Sequence, residues 1–190
     1  MQLDTLTVAE LAWAALTLVW LAGSFRTKRA VRVQSVGSRV GHICLMVVAV
    51  LLIFNERTGV GVLGQRFIPD SEAVRLIGLA LTMVGIALML WARFFLGRDW
   101  SGMVTVKENH RLVRGGPYRI VRHPIYSGIL LGLLGTAIVI GEVHCLLGLA
   151  LTALGLRHKL SVEEQFMTER FGAEYGQYRG EVKALIPFIW

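Results

Sequence analysis

The sequence predicts an all-α integral membrane protein of about five transmembrane helices, N-terminus outside and C-terminus inside. Three observations predict it. Hydrophobic residues make up 54% of the 190 residues and charged residues only 17%, where soluble domains carry about a quarter charged. The apolar residues come in long blocks rather than stripes. The basic residues collect in alternate linkers.

The first block runs from Val8 to Phe25 and the third from Ala73 to Leu96, and both meet the roughly 20 residues needed to cross the hydrocarbon. The second, Val40 to Phe54, is short unless its polar flanks join it. The fourth and fifth, Ile125 to Gly141 and Val143 to Leu156, are parted only by the turn at Gly141, Glu142 and Val143. They read as a tight helical hairpin. Within the first ten residues, Asp4 and Glu10 stand where a cleaved signal would be basic, so the first block reads as a retained helix.

Charge placement sets the orientation. Arg26, Lys28, Arg29, Arg32 and Arg39 follow the first block, and Arg98, Lys107, Arg111, Arg114, Arg119 and Arg122 follow the third. Arg157, Lys159, Arg170, Arg179 and Lys183 follow the fifth, whereas Arg57 and Arg66 after the second are balanced by acids. Cytoplasmic loops carry the Lys/Arg excess. Attraction to anionic lipid accounts for a net charge of +7 without a nucleic-acid partner. The chain reads as one domain over 1–190, with an N-terminal helical pair over 1–72 and a core over 73–190. Two polar segments, 97–124 and 157–190, bracket the hairpin on the same side and must meet at its inner end.

Two features carry little. Cys44 and Cys145 lie inside apolar blocks and read as small buried hydrophobes. Gly59-Val60-Gly61-Val62-Leu63-Gly64 spells a dinucleotide fingerprint, but no strand precedes it and Ile68-Pro69-Asp70 follows. A connecting loop is the better reading.

Gly115-Gly116-Pro117-Tyr118-Arg119-Ile120-Val121-Arg122-His123-Pro124-Ile125-Tyr126-Ser127-Gly128 says more. Gly-Gly-Pro makes a turn. His123 precedes a proline and is pushed out of the helical region, and Pro124 suits a first helical position. The fourth helix therefore starts at the membrane surface with its positive dipole end beside Arg122 and His123, where it can serve as an anion site or simply as an anchor at the headgroups. In the tail, Leu160, Met167 and Phe171 share a helical stripe, and Glu164 falls on it. A carboxylate there needs a partner: a cation, an arginine or a pair of ribose hydroxyls. Glu163 points about 100° away, where a solvated pair with Lys159 competes with a functional role. Tyr175 and Tyr178 share a face if helical, fit to hold a cation or to pack at the interface.

Together these residues resemble a known family. The ordered series Arg122-His123-Pro124-x-Tyr126-x-Gly128, a hydrophobic hairpin, Glu163-Glu164, Phe171-Gly172-x-x-Tyr175-x-x-Tyr178 and Ile186-Pro187 is similar to the isoprenylcysteine carboxyl methyltransferases, and phospholipid N-methyltransferases share its general pattern. The likeness extends upstream through Leu96-Gly97, Trp100-Ser101 and His110-Arg111-Leu112-Val113. It implies a minimal prokaryotic-type member in a bacterial or archaeal cytoplasmic membrane, its site facing the cytoplasm. It also implies S-adenosylmethionine, held by His110, Arg111, Leu112, Val113, Tyr118, His123, Pro124, Ile125, Tyr126, Glu163 and Glu164. Lys159, Arg157 and Glu163 are the implied catalytic residues, acting on a lipophilic small-molecule acceptor or membrane lipid. One position departs: the eukaryotic enzymes have an arginine one turn before the first Glu, and Lys159 stands here with Arg157 close by. Lysine offers a point charge in place of a fork. Three readings are carried forward: O-methylation of a prenylcysteine-like or other lipid-borne carboxylate, N-methylation of a phospholipid amine, and a non-enzymatic transporter or assembly factor.

Overall fold

The computed structural model describes residues 4–24, 30–33, 36–97, 105–107 and 112–189. Its helices are α1 (Thr5–Ser24), α2 (Val36–Phe54), α3 (Glu72–Leu96), α4 (Pro124–Ile140), α5 (Val143–Phe171) and α6 (Ala173–Glu181). The fold is the helical membrane type that the sequence predicts. By length and composition α1, α3 and α5 can each cross a bilayer, while Val40–Phe54 and Pro124–Ile140 are shorter apolar helices.

Successive long helices run in opposite directions. Asp4, Phe54, Glu72, Ile140 and Glu142 gather at one end of the bundle around a cavity of about 760 Å³. At the other end β1 (Ala30–Val33) pairs antiparallel with β2 (Thr105–Lys107). This short ribbon adds to the helical fold and sets Ala30–Val33, after α1, beside Thr105–Lys107, after α3.

α3 and α4 form the tightest pair, because both present small residues. A Cβ on Gly85 would lie 2.4 Å from the Gly132 backbone nitrogen, and one on Gly135 would lie 2.4 Å from that of Thr82. Close backbone approach is how helices associate in lipid, where apolar side chains gain nothing by leaving the solvent. The seam carries its own polar links. Thr82 Oγ1 donates to the Gly132 carbonyl at 3.2 Å, and Trp13 Nε1 on α1 donates to Thr136 Oγ1 at 2.9 Å. α2 packs on α5, where Gly148 meets Ile53 and the Ala49 carbonyl. Arg93 ties the C-terminal ends of α1 and α3, donating to the carbonyls of Gly23 (3.0 Å) and Gly97 (2.9 Å).

Several expectations are refined. Cys145 is buried, but Cys44 is exposed. A helix with one face toward lipid can show an apolar residue to the outside, so a hydrophobic block does not ensure burial within the protein. The Gly59–Gly64 run folds into a 3-10 turn over Gly61–Gly64. The segment following it caps the hairpin: the Phe67 amide donates to the Gly141 carbonyl at 2.9 Å, and the Val143 amide to that of Gln65 at 3.0 Å. Gly141 closes the hairpin with φ +78°, a conformation that suits glycine. α5 does not stop at the last apolar residue, Leu156, but runs unbroken to Phe171.

Candidate active site beneath the tail

The stretch before α4 and the tail after α5 fold onto one another. The Arg122 amide donates to the Lys183 carbonyl at 2.8 Å, the His123 amide to that of Ala184 at 3.0 Å, and Ser127 Oγ to that of Leu185 at 2.6 Å. Ala184 and Leu185 are buried in a cluster with Tyr126, Leu156 and Leu160. The tail therefore lies as a strap across the start of α4, held by its backbone carbonyls and two apolar side chains.

Beneath it sit two glutamates. Glu164 faces Arg122: Nε donates to Oε1 at 2.8 Å, and the Arg122 and Glu164 side chains are 8% and 10% exposed. Arg122 Nη1 reaches the Arg179 carbonyl at 3.2 Å and also donates to that of Val182. One guanidinium thus binds α5 to the strap. A fork of fixed donors is suited to this task. Glu164 Oε2 has a looser partner in Arg179, at 3.4 Å, whose side chain is 59% exposed.

Glu163, one residue earlier, accepts from Tyr126 OH at 2.6 Å. His123 lies between the two acids, with Nδ1 3.5 Å from Glu163 Oε2 and Nε2 3.3 Å from Glu164 Oε1. Burial alone would pull the His123 pKa down. The hydrogen bonds and charges of Glu163 and Glu164 outweigh it, and the imidazole is held above its ordinary value of 6.5. The His123 ring stacks on that of Tyr126 with centroids 5.4 Å apart, and Lys159 Nζ lies 5.5 Å from the Tyr126 ring centroid on α4.

The structure thus brings together His123, Tyr126, Lys159, Glu163 and Glu164. Pro124 is buried at the first turn of α4, and Ile125 packs against the apolar cluster. Tyr118 is buried in the 3-10 turn Gly116–Arg119 and accepts from Tyr178 OH at 2.6 Å through its carbonyl. Burial pushes the Tyr178 phenol up to about 12, so it remains a donor at neutral pH. Leu112 and Val113 are half-buried ahead of that turn. His110, Arg111, Trp100 and Ser101 lie outside the described residues. Arg157 and Lys159 separate: two residues apart on a helix are about 200° apart. Arg157 lines a groove of about 680 Å³ with Arg122, Glu164, Arg179 and Lys183, whereas Lys159 sits on the Tyr126 side.

Sequence reasoning left Arg122 as a neighbour of the helix end, though an arginine was one of three partners open for Glu164. It missed Arg179 altogether, since one more basic residue in a basic tail carries no signal. The carbonyl contacts of the strap were invisible for a simpler reason: every residue has a carbonyl.

A family model described as phospholipid methyltransferase matches residues 74–174, just over half of the chain. The chain belongs to the phospholipid methyltransferase family. Relatives of similar sequence include a probable protein-S-isoprenylcysteine O-methyltransferase of Oryza sativa subsp. indica, 29% identical over 119 residues, which span 61% of this chain and 62% of that protein. Protein-S-isoprenylcysteine O-methyltransferase B of Arabidopsis thaliana is 29% identical over 115 residues, 59% of this chain and 58% of that one. The Schizosaccharomyces pombe protein-S-isoprenylcysteine O-methyltransferase is 36% identical over 96 residues, 49% and 41% of the two chains. The matches thus span less than two-thirds of the length of these relatives. The family match takes in α3, α4 and α5 with both glutamates, but it stops before Arg179 and the strap.

Proposed function

We propose that this protein transfers a methyl group from S-adenosylmethionine to a carboxylate on a prenylcysteine-like or other lipid-borne acceptor, at the cytoplasmic face of the membrane. The observation that carries the reading is the acid pair Glu163 and Glu164, fixed around His123 beneath the strap and beside the groove. The names of the similar proteins support the acceptor class.

The residues fit the cofactor. Small-molecule sites run to about 300–1,000 Å³, and the groove lies inside that range at about 680 Å³. Its lining has both signs of charge, as an amino acid carrying an ammonium and a carboxylate requires. Among the described residues, the outer oxygen of Glu164 has the exposed Arg179 as its ion-pair partner, at 3.4 Å, a place that ribose hydroxyls or an ammonium can take. Bound there, S-adenosylmethionine supplies a methyl group on a sulfonium, a good leaving group for in-line displacement.

The chain's own contribution is placement. A carboxylate acceptor is already ionised near neutrality, since such groups titrate near pH 3.5, and it needs no base. Lys159 or Arg157 orients it. Alignment and exclusion of water by the strap supply the acceleration, for which intramolecular reactions suggest about 7–11 kcal/mol.

The family's description favours a second reading, an amine on a phospholipid headgroup. That acceptor must first lose a proton, and Glu163, Glu164 or His123 would receive it. A transfer assay with methyl-labelled cofactor, across prenylcysteine, phospholipid and tailless acceptors, separates the two. Label on a prenylcysteine carboxylate supports the first reading. Label on a headgroup amine moves the chain to the second. No transfer, together with no binding of S-adenosylhomocysteine, ends both in favour of a transporter or assembly factor.

A further inference from the structure

The strap does not end at Leu185. Just beyond the two residues that it buries, it exposes Ile186 (48%), Phe188 (95%) and Ile189 (76%). Single exposed apolar residues are ordinary on a protein surface; three in four positions at one point call for a partner. Phe188 also adopts φ +66°, rare for a bulky residue.

Location identifies the partner. The strap is pinned to Arg122, His123 and Ser127, at the point where the apolar helix α4 begins. Any bilayer that holds α4 has its surface at that level. Arg157, Arg179, Lys183 and Ile189 line one groove, so basic groups flank the apolar residues. An apolar wedge with adjacent Lys and Arg matches an anionic lipid interface, where acyl chains take the hydrophobes and phosphates take the cations.

We propose that Ile186, Phe188 and Ile189 insert into the anionic membrane surface, and that this docking holds the strap closed over the Glu163–Glu164 pair. Docking itself does not depend on the methyl-transfer reading; only its benefit to catalysis does. The strap is thereby a lipid-dependent cover.

The test uses the full chain in phosphatidylcholine–phosphatidylglycerol vesicles. In a Cys44→Ala background, with Cys145 buried, Phe188→Cys is labelled with a fluorophore. Quenching by spin-labelled lipid, with little quenching by aqueous iodide, is the expected result. Iodide quenching without lipid quenching overturns the proposal, and so does protection from both that tracks self-association. In parallel, hydrogen exchange follows the Arg122 and His123 amides, whose acceptors are strap carbonyls. With Phe188→Asp and Ile189→Asp together, these amides should lose protection by tenfold or more in vesicles. Unchanged protection would show that docking does not hold the strap. Binding of S-adenosylhomocysteine to the unaltered protein is measured separately, so a failed function and a failed docking give different patterns.

Discussion

The Arg122–Glu164 pair gives the sharpest stability prediction. Both side chains are about nine-tenths buried, so removing one leaves the other as a charge out of water. Breaking such a pair costs about 3–5 kcal/mol. The two single variants should differ. With Glu164→Leu, Arg122 keeps the carbonyls of Arg179 and Val182 and the Tyr175 hydroxyl but loses its carboxylate partner, so the loss belongs near the top of that range. With Arg122→Met, Glu164 still has His123 at 3.3 Å and Arg179 at 3.4 Å, which places it near the bottom. In a chain of this size each kcal/mol moves Tm by about 2–4 °C, giving drops of about 6–20 °C by tryptophan fluorescence in detergent. The double variant strands neither charge and should cost about 1–3 kcal/mol less than the sum of the singles. Additivity within about 0.5 kcal/mol would refute the reasoning, since it would mean that the two groups do not compensate each other.

Other outcomes follow from the same geometry. Glu164→Gln should weaken S-adenosylhomocysteine binding by tenfold or more, about 1.4 kcal/mol, measured by calorimetry. His123 has a raised pKa in the folded chain. Its stabilising contribution is therefore complete below about pH 6.5, the unfolded value, and is lost as pH rises through the folded value. Tm measured against pH should show that decline, and His123→Gln should flatten it. Gly85→Ala puts a methyl 2.4 Å from the Gly132 backbone nitrogen, with an expected cost of about 1–3 kcal/mol. Gly176→Ala meets nothing within 4 Å and should gain up to about 1 kcal/mol in helix propensity.

The helices were legible because the bilayer imposes a simple length and polarity rule, and the observed ends of α3 fall within one residue of the apolar block. The extension of α5 to Phe171 was harder to read. An amphipathic stripe after Leu156 announces a helix, but nothing local says whether it joins its predecessor. The seam between α3 and α4 also went unread: Gly78, Gly85, Gly128, Gly132 and Gly135 look like ordinary members of apolar blocks until their partners are known. In the site, Glu164 stood out because burying a carboxylate is costly, and His123-Pro124 because proline marks a helix start. Glu163 was ambiguous on spacing alone. His123, standing between the two acids, engages both, and only the folded chain shows it there.

The unbroken course of α5 acts as a ruler. Glu164 lies 21 residues beyond Val143, or about 31 Å at 1.5 Å per residue, which matches the thickness of a hydrocarbon layer of about 30 Å. When the hairpin turn rests at one edge of that layer, the acid pair reaches the other edge. Under the proposed reading, an acceptor anchored by its own tail would need no vertical search: it would diffuse in two dimensions and present its polar end at the height of Glu163 and Glu164.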